Sequence, residues 1–182
     1  MTVHGFQDAS IDRGVVTAWW GRHPDANIGV PTGVLGGIDV VDVDVHEGGS
    51  GFASFNKARR AGFIEGWACL VRTPSGGLHA YFLRTGGRES RSWQLPGKHI
   101  DFRGDGGYII VPPSRVSGAD GVPRDYQLVA VAEHPQLYRM DADGLRAFLD
   151  PPRPMHAPAD MPRMGARPEK LAAWVASRPE GG

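Results

Sequence analysis

Apolar and polar positions change rhythm several times along the chain, and each rhythm predicts an element. Val15, Val16, Trp19 and Trp20 recur at helical spacing, which predicts a short amphipathic helix over 11–20. NIGVPTG (27–33) is dense in glycine and proline and reads as a turn. From Val41 to Val45 apolar and acidic residues alternate strictly, the period of a strand, so 38–45 is expected to be one. HEGGSG (46–51) breaks it. FASFNKARRAG (52–62) reads as a helix ending at Gly62, with Arg59 and Arg60 in the last turn, where cations suit the helix dipole. CLVRTP (69–74) and LHAYFLR (78–84) are two strands around the turn Ser75-Gly76-Gly77, a hairpin. Residues 85–99 form a polar, basic connection. HIDF (99–102) and YIIVPPS (108–114) are strands around the turn RGDGG, and DYQLVAVA (125–132) is one more. The pattern over 137–150 predicts a helix with Gly144 as its weak point.

Beyond it the rhythm stops. Six prolines fall in the eighteen residues 151–168, which rules out a regular helix or a central strand and indicates a linker. EKLAAWVAS (169–177) is again helical but has little to pack against. The expected organisation is one domain over 1–150, a proline-rich linker over 151–168, and the start of a further helical region over 169–182. A chain built this way reads as a module of something longer.

Composition narrows the class. The chain has 182 residues, 26 glycines and 15 prolines, enough length for a core and enough turn formers for short strands. Its single cysteine, Cys69, sits in an apolar run and fits buried filler in a reducing cytoplasm. No apolar run approaches the roughly 20 residues of a membrane span, so no membrane partner is expected. The formal net charge is zero, so a nucleic-acid partner is not advertised by bulk charge and would need local patches. Such patches exist. Four acids (Asp39, Asp42, Asp44, Glu47) and no Lys or Arg lie between Ile38 and Gly49; five bases (Arg84, Arg88, Arg91, Lys98, Arg103) stand against two acids between Arg84 and Arg103. Either run could also be plain solvated surface.

The acidic run carries the sharpest chemical question. On a strand, Asp42 and Asp44 share a face, roughly 6–7 Å apart, while the intervening valines face a core. Two such carboxylates repel unless one is protonated or a cation sits between them, and hard divalent cations take carboxylate oxygens. A solvent-facing acidic strand face remains the alternative. Asp101, again beside a glycine turn, adds a third carboxylate, and three aspartates from two strands are able to hold two ions of the kind that drive in-line phosphoryl transfer. Asp105 reads as a turn residue. The Ser75-Gly76-Gly77 turn offers backbone N–H groups to an anion, and His79 at its lip could donate to a phosphate; an ordinary hairpin with a strand-capping histidine explains the same residues.

Taken together, VVDVDVHEGG, TPSGGLHAYF and IDFRGDGGYIIVPPS resemble, in order and spacing, the three motifs of the primase-polymerase (Prim-Pol) domain family of the archaeo-eukaryotic primase superfamily. The resemblance runs from about Trp19 to Ser114. It implies an α+β fold: an RRM-like antiparallel sheet carrying the catalytic carboxylates, packed with a second α/β unit, with the active cleft between. It implies that Asp42, Asp44 and Asp101 ligate Mg²⁺ or Mn²⁺. His79 would contact the incoming nucleoside triphosphate, Ser75, Gly76 and Gly77 would shape its pocket, and Arg103 would add a phosphate contact. The activity implied is template-directed DNA priming and polymerisation by a phage, plasmid or mobile-element replication protein, in the cytoplasm of a bacterial or phage-infected cell. A single-stranded template and primer would be the partners. A helicase domain would lie elsewhere in the full-length protein, since no Gly-x4-Gly-Lys-Ser/Thr loop is present.

Arg84, Arg88, Arg91 and Lys98 are the expected contacts to the template backbone, with Trp93 either a stacking platform or a core anchor. Two other readings use the same residues. A metal-dependent nuclease would employ the carboxylates to activate water, with His46 as a further ligand or base. A non-catalytic binding module would rest on RGDGGYIIV, which loosely resembles the RNP1 pattern of RRM domains.

Overall fold

The computed structural model describes residues 2–84, 90–118, 120–135 and 140–152. The expected linker and terminal helix therefore lie outside the described residues, apart from Pro151 and Pro152. The elements follow in order: α1 (Arg13–Arg22), β1 (Ile28–Pro31), β2 (Ile38–Val43), β3 (Val45–His46), β4 (Gly49–Ser50), α2 (Phe52–Arg60), β5 (Cys69–Arg72), β6 (Leu78–Leu83), β7 (Trp93–Leu95), β8 (Ile100–Arg103), β9 (Tyr108–Val111), β10 (Arg115–Ser117), β11 (Pro123–Asp125), β12 (Gln127–Val131) and α3 (Ala142–Leu149). The class is α+β. Six strands form one sheet in the order β12-β5-β6-β2-β8-β7, and every neighbouring pair is antiparallel. Among the described residues no helix is long and apolar enough to cross a membrane.

Strand alternation divides this sheet into two unlike faces. One face carries Val41 and Val43 of β2, Ala80 and Phe82 of β6, Ile100 and Phe102 of β8, and Trp93 and Leu95 of β7; α2 and α3 cover it with Phe55, Ala58, Ala142, Leu145 and Leu149. This is the main core, and burying one such side chain stabilises by about 1.5–3 kcal/mol. Phe63 and Phe148 stack at 4.8 Å where the helical layer closes. The other face carries a small cluster, Val40, Val71, Tyr81 and Ile109. Ile38 and Cys69 pack against it, and Asp42, His79, Asp101 and Gln94 share this face.

Several elements differ from expectation. NIGVPTG is not only a turn: β1 pairs antiparallel with β9 over Ile28–Pro31. The strand expected over 38–45 stops at Val43, and Val45–His46 turns back as a two-residue ribbon with Gly49–Ser50. The connection after β6 contains β7, an edge strand on β8. A second ribbon, β10 with β11, rises from the chain after β9. Asp12 caps α1 by accepting the Val15 N–H at 2.8 Å, yet no residue of α1 is buried. Its tryptophans face an apolar groove against β1 rather than the core.

Candidate active site

The polar face of the sheet is organised around one rung. Asp42, on the central strand, stands opposite His79 on β6 and opposite Asp101 on β8. The rung continues through Val71 on β5 and Gln94 on β7. Directly opposed residues share a face with Cα atoms about 4.5–5.5 Å apart, so the backbone register alone brings these side chains together. All three of Asp42, His79 and Asp101 are buried.

Side-chain contacts follow the rung. His79 Nε2 lies 3.3 Å from Asp42 Oδ1. Arg103, two residues beyond Asp101 on the same face, places Nη2 at 2.7 Å from Asp101 Oδ2 and 3.5 Å from Asp42 Oδ2. Gln94 Nε2 donates to the same Asp101 oxygen at 2.8 Å. One guanidinium thus meets both carboxylates. Burial pushes the Asp101 carboxyl above its usual range, against the opposing Gln94 hydrogen bond and Arg103 charge. Asp44 lies one residue past β2, its N–H donating to His99 O at 3.0 Å. Its carboxyl is raised first by burial and then by the charges of Asp42 and Asp101. His79 Nδ1 and the Tyr81 hydroxyl are buried without a hydrogen-bond partner among the described residues.

The sequence-derived nucleotide residues separate. Ser75 is exposed, and its Oγ shares a hydrogen bond with Thr73 Oγ1 at 3.0 Å. The Gly76 N–H is spent closing the turn onto Thr73 O at 2.9 Å, and Gly76 takes a φ of +88°. Gly77 is buried so closely against β2 that a Cβ there would run into the Val43 carbonyl. Its part is to seat the turn beside Asp44. A cleft of about 490 Å³ opens here, lined by Asp42, Asp44, His79, Thr73 and Ser75. The β10–β11 ribbon adds Val116 and Arg124 to its lining, and Tyr126 follows directly. The Tyr126 ring lies 5.7 Å from that of His79.

Gln94, Arg124 and Tyr126 were not singled out by sequence reasoning. Gln94 faces the same side as Asp101 on an edge strand hidden in a polar stretch. Arg124 sits in a ribbon that has no apolar alternation, and Tyr126 directly follows it.

The expected template contacts fare unevenly. Arg84 is a correction. Its side chain is only 6% exposed, with Nη1 at 3.0 Å from Asp39 and Nη2 at 3.1 Å from Asp105. Burial raises the Asp39 carboxyl against the pull of Arg84. An arginine committed to two carboxylates inside the fold is not offered to DNA. Asp105, expected as a turn residue, is a hub: it also accepts the N–H groups of Val34 and Ser90 at 2.7 Å each. Burial alone would raise its carboxyl, but these bonds and Arg84 outweigh burial and hold it below the usual range. Arg91 and Lys98 are exposed, and Arg88 lies outside the described residues. Trp93 is buried and stacks on Phe102 at 5.6 Å, a core anchor.

Two features bear on the alternative readings. His46 Nε2 is paired with His99 Nδ1 at 3.0 Å, an arrangement that engages the proposed extra ligand of a nuclease. Tyr108, the aromatic of the RNP1-like run, is half-exposed but stacked on Phe6 at 5.3 Å.

Three carboxylates are the oxygen donors available to a hard divalent cation at this site. Among the described residues no three His, Cys, Asp or Glu side chains are gathered as a ready ion cage. The donor chemistry nonetheless fits, since Asp42 and Asp101 stand opposite each other and draw a shared cationic group, here Arg103.

Comparison with known families gives one match. The family model described as bifunctional DNA primase/polymerase, N-terminal, matches residues 1–137, that is 137 of the 182 residues, and this span contains every residue of the cleft described above. No curated protein matches the chain.

Proposed function

The chain belongs to the bifunctional DNA primase/polymerase N-terminal (Prim-Pol) family, and from that premise we propose that it is a template-directed nucleotidyltransferase that starts and extends DNA strands with two divalent ions, Mg²⁺ or Mn²⁺. The observation that supports this most is the rung itself, with Asp42 facing a histidine on one neighbouring strand and an aspartate on the other. Bound at Asp42, Asp44 and Asp101, the ions would supply charge that activates the attacking 3′-hydroxyl and stabilises the leaving pyrophosphate.

The chain's own residues then have distinct tasks. His79 presents Nε2 beside Asp42, from where it donates to a triphosphate oxygen. Ser75 and Thr73 offer hydroxyls to the same cleft. Arg103 neutralises Asp42 and Asp101 until they take up a cation, and its guanidinium matches phosphate geometry. Gln94 fixes the orientation of the Asp101 carboxylate from outside the cleft. Arg91 and Lys98 remain the exposed bases for the template backbone. The proposed setting is replication of a phage, plasmid or mobile element in a bacterial or phage-infected cell, with a helicase domain elsewhere in the full-length protein.

Primer extension tests this. A primed single-stranded template is incubated with four dNTPs and Mg²⁺ or Mn²⁺, beside Asp42→Asn. Elongation that requires the ion and disappears in the folded variant is the expected result. Elongation retained by Asp42→Asn would overturn the assignment, and metal-dependent loss of DNA ends would move it to a nuclease.

A further inference from the structure

The cleft has one wall that the three sequence motifs do not account for. Among the described residues that line it, Arg124 on β11 carries the one side chain of fixed positive charge. It lines the same cavity as Asp42 and Asp44. In this structure its fork is closed on Asp120: Nη2 lies 2.6 Å from Oδ2 and Nη1 3.0 Å from Oδ1, with a longer bond of 3.3 Å from Nη1 to Val122 O. Gly118, which also lines the cleft, leaves room for the guanidinium, since a Cβ there would run into Arg124 Nη1.

We propose that Arg124 is a phosphate clamp on the nucleoside triphosphate, held by Asp120 when the cleft is empty and transferred to the terminal phosphates when a nucleotide enters. This inference rests on the cleft being the nucleotide site, and it assigns the β10–β11 ribbon a task there. The reasoning is geometric. A bidentate arginine–carboxylate pair has the shape of an arginine–phosphate pair. Both partners are exposed, Arg124 at 43% and Asp120 at 51%, and exposed ion pairs hold weakly. A triphosphate brings more charge to the same fork, so exchange costs little. The Arg124 hydrogen bond holds the Asp120 carboxyl at about 2, so the pair is ionised at any working pH and the clamp is always cationic. The base of the ribbon is fixed by Tyr126 N–H to Ser114 O at 3.0 Å and by Arg115 to Asp125 at 2.6 Å. Arg124 is therefore delivered from a seated element.

Equilibrium binding of dATP, dADP and dAMP to the full chain, with Ca²⁺ as a non-turnover ion and no DNA, tests the clamp. Arg124→Gln is expected to weaken dATP by about 10- to 100-fold, the range for a charged hydrogen-bonded contact, and to leave dAMP unchanged. Asp120→Asn is expected to bind dATP as tightly as the parent or tighter, because it removes the competitor; a ribbon that merely needed the ion pair would make both variants equally weak. If His79→Gln weakens dATP while Arg124→Gln does not, the clamp is wrong and the cleft assignment stands. If the parent binds no dATP, the cleft assignment fails and the clamp with it. If Arg124→Gln weakens a single-stranded oligonucleotide instead of dATP, the clamp is likewise wrong.

Discussion

Replacing Arg84 with alanine tests whether this guanidinium belongs to the interior. The change removes the shared partner of Asp39 and Asp105. Asp39 is as buried as the arginine, at 6% exposure, and among the described residues Arg84 is the cation that offsets its charge. Asp105 loses less, because the Val34 and Ser90 N–H groups still hold it. Breaking a buried pair from one side costs about 3–5 kcal/mol, against a total stability of about 5–15 kcal/mol for a domain. With a urea m-value near 2 kcal/mol/M, the unfolding midpoint should fall by about 2 M. The pH dependence has a definite sign. Burial already holds the folded-state Asp39 carboxyl above its usual value, and loss of Arg84 removes what opposes that. Protonation then favours the folded state, so the deficit of the variant should shrink as the pH falls from 7 towards 5. The assay is urea unfolding of parent and variant at both pH values. A loss below about 1 kcal/mol at pH 7, with no dependence on pH and a drop in single-stranded DNA affinity, would place the guanidinium at the surface and refute the argument.

Other outcomes follow from single contacts. Gly77→Ala should destabilise by about 1–3 kcal/mol or more, because its Cβ has the Val43 carbonyl in the way; Gly76→Ala meets open space and should cost only the backbone strain of its φ of +88°, about 1 kcal/mol. Denaturant titration separates the two, and equal losses would mean that the turn does not press on β2. Gln94→Leu should weaken Mn²⁺ binding and primer extension by about 10-fold, as outer partners of metal carboxylates do, while stability stays within about 1 kcal/mol. Paramagnetic resonance of bound Mn²⁺ reads this without activity, and unchanged affinity would remove Gln94 from the site. Tyr81→Phe deletes a buried hydroxyl that has no partner among the described residues and should leave the protein equally stable or up to about 1 kcal/mol more stable; a loss in thermal denaturation would reveal a partner for the hydroxyl.

What the sequence made legible follows physical lines. β2, β5, β6, β8 and β9 announce themselves because apolar alternation and glycine turns are local signals. Asp42, His79 and Asp101 stood out for the same reason. Their register did not, since which residues face each other across β6, β2 and β8 depends on long-range pairing. β1 was read as a turn because its partner lies about 80 residues away. β7 was lost in a polar stretch because an edge strand buries only alternate residues, here Trp93 and Leu95. The β10–β11 ribbon is largely exposed and carries no apolar rhythm. Arg84 was misread although a signal was present: it has the parity of Ala80 and Phe82 along β6, and that parity points inward.

Because a strand has only two sides, the division of β2 between core and chemistry behaves like a reading frame. One residue inserted between Val40 and Val41 would send Asp42 into the helix-covered layer and turn a valine toward His79 and Asp101. An edge strand absorbs such a slip by sliding along its one neighbour. β2 is paired on both flanks, so it has no free edge along which to shift. Insertions and deletions should therefore be lethal to activity in β2 at odd lengths, whereas the loops that enter and leave it tolerate them. Variation in length among working versions of this domain is then confined to where the alternation has already stopped.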